Sequence, residues 1–253
     1  RGTVDRLYRN RGDGTFEDAS SRLPADERWS TSASFLDYDR DGDLDLYVTT
    51  YVAYSVRENR ICHGSGGQRD YCGPEVFDPT PDRLLRNDGD RFTDVSEEAG
   101  LHAAYGSGLG VVCVDVDRDG HVDIYVANDG RANQLWMNDG RGAFRNEALF
   151  AGAAYNADGM AEAGMGVDAA DFDRDGDDDL FLTHLLGETN TLLVNDGTGL
   201  FDDGTTRVGL AAPSRVHTGF GTRWADFDHD GYLDLFVANG AVKIEAAQAG
   251  EAY

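Results

Sequence analysis

Apolar residues in this chain come in short runs bounded by Gly, Asn and Asp, and the 3.6-residue spacing of an amphipathic helix is nearly absent. Leu46-Tyr47-Val48, Ile124-Tyr125-Val126, Leu180-Phe181-Leu182 and Leu235-Phe236-Val237 each follow an intensely polar segment. Glycine-punctuated stretches precede three of those segments: Gly108-Leu109-Gly110-Val111-Val112, Gly164-Met165-Gly166-Val167 and Gly219-Phe220-Gly221-Thr222. Each such pair predicts an antiparallel hairpin closed by a polar turn. A helical solenoid is disfavoured by the same pattern.

A second hairpin alternates with the first. Leu-rich strands end in an Asn-Gly turn and resume at an aromatic residue: LYRNRGDGTF from Leu7, LLRNDGDRF from Leu84, LWMNDGRGAF from Leu135 and LLVNDGTGLF from Leu192. The turn asparagines lie 77, 51 and 57 residues apart, and the polar turns of the first hairpin 78, 56 and 55 apart. The longer first interval reflects one insertion, roughly 52–82. Four short strands per repeat predict an all-β fold, a β-propeller of four-stranded blades, over residues 1–253 as a single domain. About four and a half repeats are present. The expectation is a partial arc of a larger ring; the alternative is a closed four-bladed ring, with the half-blades at the two ends combining.

The polar turns carry the chemistry. DYDRDGDLD from Asp37, DVDRDGHVD from Asp115, DFDRDGDDD from Asp171 and DFDHDGYLD from Asp226 share the pattern D-x-D-x-D-G-x-x-D. A loop wound around Ca²⁺ takes side-chain oxygens from alternate residues and a backbone carbonyl from position 7, where any side chain serves. The expected ligands are therefore Asp37, Asp39, Asp41 and Asp45; Asp115, Asp117, Asp119 and Asp123; Asp171, Asp173, Asp175 and Asp179; and Asp226, Asp228, Asp230 and Asp234. Asp43, His121, Asp177 and Tyr232 would contribute through their backbone carbonyls. An EF-hand would need Glu at position 12, whereas Val48, Val126, Leu182 and Val237 stand there and belong to strands. All-oxygen donors exclude zinc and copper and favour calcium over magnesium, at about four sites. Asp178 departs from the apolar position 8 held by Leu44, Val122 and Leu233.

A formal net charge of −25 argues against nucleic-acid backbones and anionic membranes as partners, and no apolar run is long enough for direct membrane insertion. Cys62 and Cys72, in the insertion segment CHGSGGQRDYC, are read as a disulfide formed in an oxidising compartment; two unpaired loop thiols are the alternative. Cys113, among valines, is expected to be a buried thiol.

The paired motifs resemble the FG-GAP/VCBS repeats of integrin-type β-propellers. YCGPEVFDPTPDRLLRNDG, AEAGMGVDAADFDRDGDDDL, THLLGETNTLLVNDG and DLFVANG are similar in running text to the ASPIC/UnbV family. That resemblance implies a secreted, periplasmic or cell-surface seven-bladed propeller with Ca²⁺ in the inner-hairpin loops.

Two functional classes follow. The first is a calcium-stabilised module that binds a protein or glycan, or packs with neighbouring subunits of an extracellular assembly. The second is a propeller enzyme, a sugar lyase, dehydratase or natural-product tailoring activity, for which His102, His184, His217, Arg223 and Glu162 are the available groups. No Gly-x-Ser-x-Gly elbow, His-Glu-x-x-His helix or P-loop is present. Trp29, Trp136 and Trp224 are expected in the core, with sugar stacking as the alternative.

Overall fold

The computed structural model describes residues 4–64 and 67–242. A hairpin of β1 (Tyr8–Asn10) and β2 (Phe16–Asp18) comes first. The first blade begins with β3 (Ser30–Leu36) and β4 (Asp45–Thr50). The insertion then adds a small hairpin, β5 (Cys62–His63) and β6 (Arg69–Asp70), before β7 (Arg83–Asn87) and β8 (Phe92–Asp94) complete the blade. The second blade is β9 (Gly108–Val114), β10 (Asp123–Asn128), β11 (Gln134–Asn138) and β12 (Phe144–Asn146). The third is β13 (Val167–Ala170), β14 (Asp179–Leu182), β15 (Thr191–Asn195) and β16 (Phe201–Asp203). A last hairpin joins β17 (Thr218–Ala225) to β18 (Asp234–Gly240). Each full blade is an antiparallel meander of the two expected hairpins.

The core lies between blades, and the pleat of one strand shows how. On β10, Ile124 and Val126 pack with Tyr47, Leu84, Trp136 and Phe144, in the layer towards the first blade. Their neighbours Tyr125 and Ala127 point the other way, to Leu180, Leu182 and Leu193 of the third blade. Alternate side chains thus enter two different cores. This is why β4, β10 and β14 are buried along their whole length and read as continuous apolar runs.

Polar side chains pin each blade to its neighbour. The Asn138 amide donates to the Tyr38 carbonyl of the preceding blade at 2.9 Å and to Val122 at 3.2 Å, while its oxygen accepts from Gly140 N–H. Asn195 repeats this one blade later, donating to Val116 and Asp178. Glycine suits position 140, where φ is +71° and an added Cβ would lie 2.5 Å from His121 Nε2 and displace that ring.

The two end hairpins form separate two-stranded sheets, which corrects the four-bladed ring. The inner strands follow in chain order, β3 beside β9, β9 beside β13 and β13 beside β17. No hydrogen bond joins the end hairpins among the described residues; β1 is exposed throughout, and Phe236 on β18 is 69% exposed. Val237 is therefore only half-buried, unlike its equivalents Val48, Val126 and Leu182. Leu7 and Leu23 cover part of the first blade's outer core, leaving a groove of about 400 Å³ along Ala33, Phe35 and Val48.

Cys62 and Cys72 form a disulfide across the insertion hairpin. Cys113 packs partly buried against the core between the first two blades, and burial pushes its thiol up to about 11. Of the tryptophans, Trp136 is buried, Trp224 is half-buried against Phe172 and Phe181, and Trp29 is half-exposed.

Asn138→Ala or Asn195→Ala leaves a carbonyl of the neighbouring blade without its donor and is expected to destabilise by about 2 kcal/mol. Asn10→Ala, in the exposed first hairpin, should change stability by less than about 0.5 kcal/mol. Urea denaturation monitored by circular dichroism measures both.

Candidate metal centres

All four aspartate loops close in the same way. The first Asp accepts the N–H of the position-6 glycine: Gly42 to Asp37 at 3.2 Å, Gly120 to Asp115 at 2.8 Å, Gly176 to Asp171 at 3.1 Å and Gly231 to Asp226 at 2.9 Å. The third-position residues Asp39, Asp117, Asp173 and Asp228 each accept the N–H two residues on. Asp41, Asp119, Asp175 and Asp230 do likewise from position 7. Asp37 and Asp171 spend one oxygen on winding the loop and keep the other, whereas Asp115 and Asp226 spend both, the second on the N–H of Asp119 and of Asp230. Asp37 Oδ1 and Asp171 Oδ1 are buried with no hydrogen-bond partner.

The carboxylates cluster tightly. One oxygen from each of Asp37, Asp39 and Asp41 lies within 4.8 Å of the others, as do those of Asp226, Asp228 and Asp230. In the middle loops the trios are Asp115, Asp117 and Asp123, and Asp171, Asp173 and Asp179. All donors are hard oxygens, so the residues fit a divalent cation of the calcium type.

Position 9 does a second job. Asp45 accepts Tyr38 N–H and, across the blade, Asn87 N–H at 2.8 Å. Asp123 accepts Val116 and Asn138 N–H, and Asp179 accepts Phe172 and Asn195 N–H. Burial, opposed by these donors and aided by nearby aspartates, raises Asp45 to about 6 and Asp123 and Asp179 to about 7. Asp234 accepts only Phe227 N–H, because no outer strand pairs with β18 among the described residues.

Position 7 is occupied by Asp43, His121, Asp177 and Tyr232, and the last three side chains make contacts beyond their own loop. Arg118, at position 4 of the second loop, binds Asp177 of the third at 2.8 Å. Arg174 of the third lies over the Tyr232 ring of the fourth, 4.2 Å from its centroid. His121 packs beneath Gly140. The position-4 residues Arg40, Arg118, Arg174 and His229 all have φ near +60° and are the non-glycine residues that do so among those described. These straps were missed in the sequence, although the Asp-Arg-Asp-Gly text recurs in three loops. Asp168 was missed too: it takes Arg223 at 3.0 Å and Trp224 N–H at 2.8 Å, tying the last hairpin to the third blade.

The five other candidate groups do not assemble. His102 and His217 are exposed and separate, and Arg223 is committed to Asp168. His184 and Glu162 do meet, at 3.8 Å. However, His184 Nδ1 donates to the Thr189 carbonyl, burial holds the ring below the usual imidazole range, and the void beside them is about 10 Å³. That is room for one water, not a substrate.

No helix among the described residues is long and apolar enough to cross a membrane. Cartilage acidic protein 1 of Mus musculus is 31% identical over 196 residues, covering 73% of this chain and 29% of that protein. Its Homo sapiens counterpart is 26% identical over 256 residues, covering 98% and 33%. The chain thus spans a third or less of the length of these curated relatives. Among solved structures, an Agrocybe aegerita lectin in specific recognition of non-reducing terminal N-acetylglucosamine aligns with TM-score 0.44 and 17% identity, over 91% of this chain and 54% of that one. The exotype rhamnogalacturonan lyase YesX aligns with TM-score 0.43 and 17% identity, over 93% and 39%. The FG-GAP-like repeat matches residues 2–48, 67–126 and 115–182, and with each match containing or reaching an aspartate loop, this chain belongs to the FG-GAP-like repeat family.

Proposed function

We propose that this chain is an extracytoplasmic β-propeller stabilised by calcium and serving as a protein- or glycan-binding module, or as part of an extracellular assembly. The observation that carries the calcium half is the convergence of alternating Asp oxygens in four loops, with Asp37 Oδ1 and Asp171 Oδ1 buried and unpartnered. Positions 1, 3, 5 and 9 of each loop would hold the ion through carboxylates, and the carbonyls of Asp43, His121, Asp177 and Tyr232 would complete the cage. Bound calcium offsets the repulsion within each loop and fixes the turn from which both inner strands depart.

The Cys62–Cys72 disulfide supports an oxidising compartment. The uncovered faces at the two ends of the arc suit further blades, as in a seven-bladed ring. Binding is favoured over catalysis because the His184–Glu162 pair, the one of its kind among the described residues, adjoins a void of about 10 Å³.

Chelation is expected to lower the melting temperature by on the order of 20 °C. Each site adds about 2.7 kcal/mol at 100-fold excess calcium over Kd, and a chain of this size shifts by about 2–4 °C per kcal/mol. Differential scanning calorimetry in EDTA and in calcium is the measurement; identical melting, with no calcium in elemental analysis, overturns the assignment. Asp171→Asn combined with Asp173→Asn should remove one calcium from the native mass spectrum and leave the others.

Without metal, stability should fall as pH rises from about 4 to about 7. Asp82, Asp123 and Asp179 are raised from an ordinary 3.8 to about 7, so the folded chain holds protons that the unfolded chain has released in that window. Melting in EDTA should therefore occur at higher temperature at pH 5 than at pH 8. With calcium, which favours the ionised loops, the order should reverse.

A further inference from the structure

The insertion folds back on the first blade and leaves a cleft of about 660 Å³ at the end of the β3–β4 hairpin farthest from its aspartate loop. Five aromatic residues line it, Trp29, Tyr51, Tyr54, Tyr71 and Phe77, and four of them form a chain of rings. Trp29 meets Tyr51 edge to face at 5.4 Å and Tyr54 at 5.9 Å, and Tyr54 meets Phe77 at 5.9 Å. This chain of rings is anchored at one end by Tyr51, whose hydroxyl donates to Asp129 of the second blade at 2.6 Å. At the base of the insertion Val52 bridges to Pro79, and Ala53 N–H bonds Asp78. The disulfide fixes part of the lining, since Cys72 itself lines the cleft. Trp29 is nevertheless 50% exposed and Tyr54 43%, so the rings are held in place but open to solvent.

The polar lining selects among ligand classes. Arg60, over the Phe77 ring at 5.8 Å, and Arg69 place two guanidinium groups at the cleft, with Asn59 and the carboxylate of Asp70 beside them. A cationic ligand, the usual guest of an aromatic cage, would meet two guanidinium groups against the carboxylate of Asp70, a lining of net positive charge. A polyanion would be repelled at long range by a chain of net charge −25. A wholly apolar ligand would strip water from the guanidinium and amide groups without replacing their hydrogen bonds. A ligand with apolar ring faces and many neutral hydroxyls meets all three conditions. We propose that this cleft binds a neutral saccharide, with sugar faces against Trp29 and Tyr54 and hydroxyls hydrogen-bonded by Arg60, Arg69 and Asn59.

The proposal rests on the chain's being a binding module, and it names the site and the ligand class. The test uses the full chain loaded with calcium and a panel of neutral oligosaccharides (malto-, cello-, manno- and chito-oligomers). A sulfated heparin oligosaccharide and choline serve as counter-probes, and isothermal titration and tryptophan fluorescence are the readouts. At least one neutral oligomer should bind, with an affinity that 0.5 M NaCl leaves unchanged. Trp29→Ala should weaken it at least about tenfold, the scale of losing one anchoring aromatic. The Arg60→Gln, Arg69→Gln double variant should weaken it severalfold with unchanged melting, which covers the case in which Trp29→Ala does not fold. Failure of every neutral oligomer to bind, or tighter binding of heparin or choline, overturns the proposal. Saccharide binding that survives both variants overturns the cleft while leaving the binding-module reading standing.

Discussion

Each blade turns back on itself at a loop where three carboxylates bring oxygens within 4.8 Å of one another, and everything else in the fold is hung from that turn. Backbone N–H groups satisfy one oxygen of each third and fifth aspartate and one or both of each first, so the loop is wound by its own peptides before any ion is considered. What these peptides cannot do is offset the repulsion among the remaining oxygens. Burial makes the conflict sharper at position 9, where Asp123 and Asp179 are pushed to about 7 even though each accepts two N–H donors. A hard cation is the simplest resolution in chemistry.

The same residues also organise the blade. Asp45, Asp123 and Asp179 reach from the inner hairpin to the N–H of the asparagine in the outer hairpin, and that asparagine's amide then donates to the loop carbonyls. For Asn138 and Asn195 a further bond crosses to the preceding blade. Arg118 and Arg174 run between successive aspartate loops. Loop, blade and arc are thus one polar network laid over alternating apolar layers. A disturbance at one loop is felt by its neighbours, since the bonds from Asn138 and Asn195 and the contacts of Arg118 and Arg174 cross from one repeat to the next.

The insertion stands apart from that network in position and chemistry. It sits at the far end of the first blade, is held by a disulfide and a strand bridge, and presents aromatic and guanidinium groups where the loops present carboxylates. Its fixed shape costs the repeat nothing, because β4 and β7 still pair as though no residues intervened. A rigid repeat scaffold carrying one irregular, pre-shaped segment is a common way to separate stability from recognition.

Much of this was legible in the residues. Strand alternation, the repeat of about 55 residues, the two hairpins per blade and the aspartate loops all follow from local rules, because turn conformation and pleat depend on near neighbours in the chain. Asp37 and its equivalents could be read as candidate ligands on spacing alone, and the folded loops bring their carboxylates together. The straps from Arg118 and Arg174, the bridge from Asp168 and the convergence of Trp29, Tyr54, Phe77 and Arg60 could not. These join residues 17 to 59 positions apart, and their meeting depends on how blades stack and where the insertion folds back. Likewise, residue text alone left the two end hairpins free to join; the stacked blades hold them in separate sheets. The sequence by itself therefore determined the turns, the strands and their carboxylate chemistry, which short-range sterics and charge dictate. Only the tertiary structure decided the arc, the links between loops and the cleft, because each depends on packing between surfaces that no local pattern encodes.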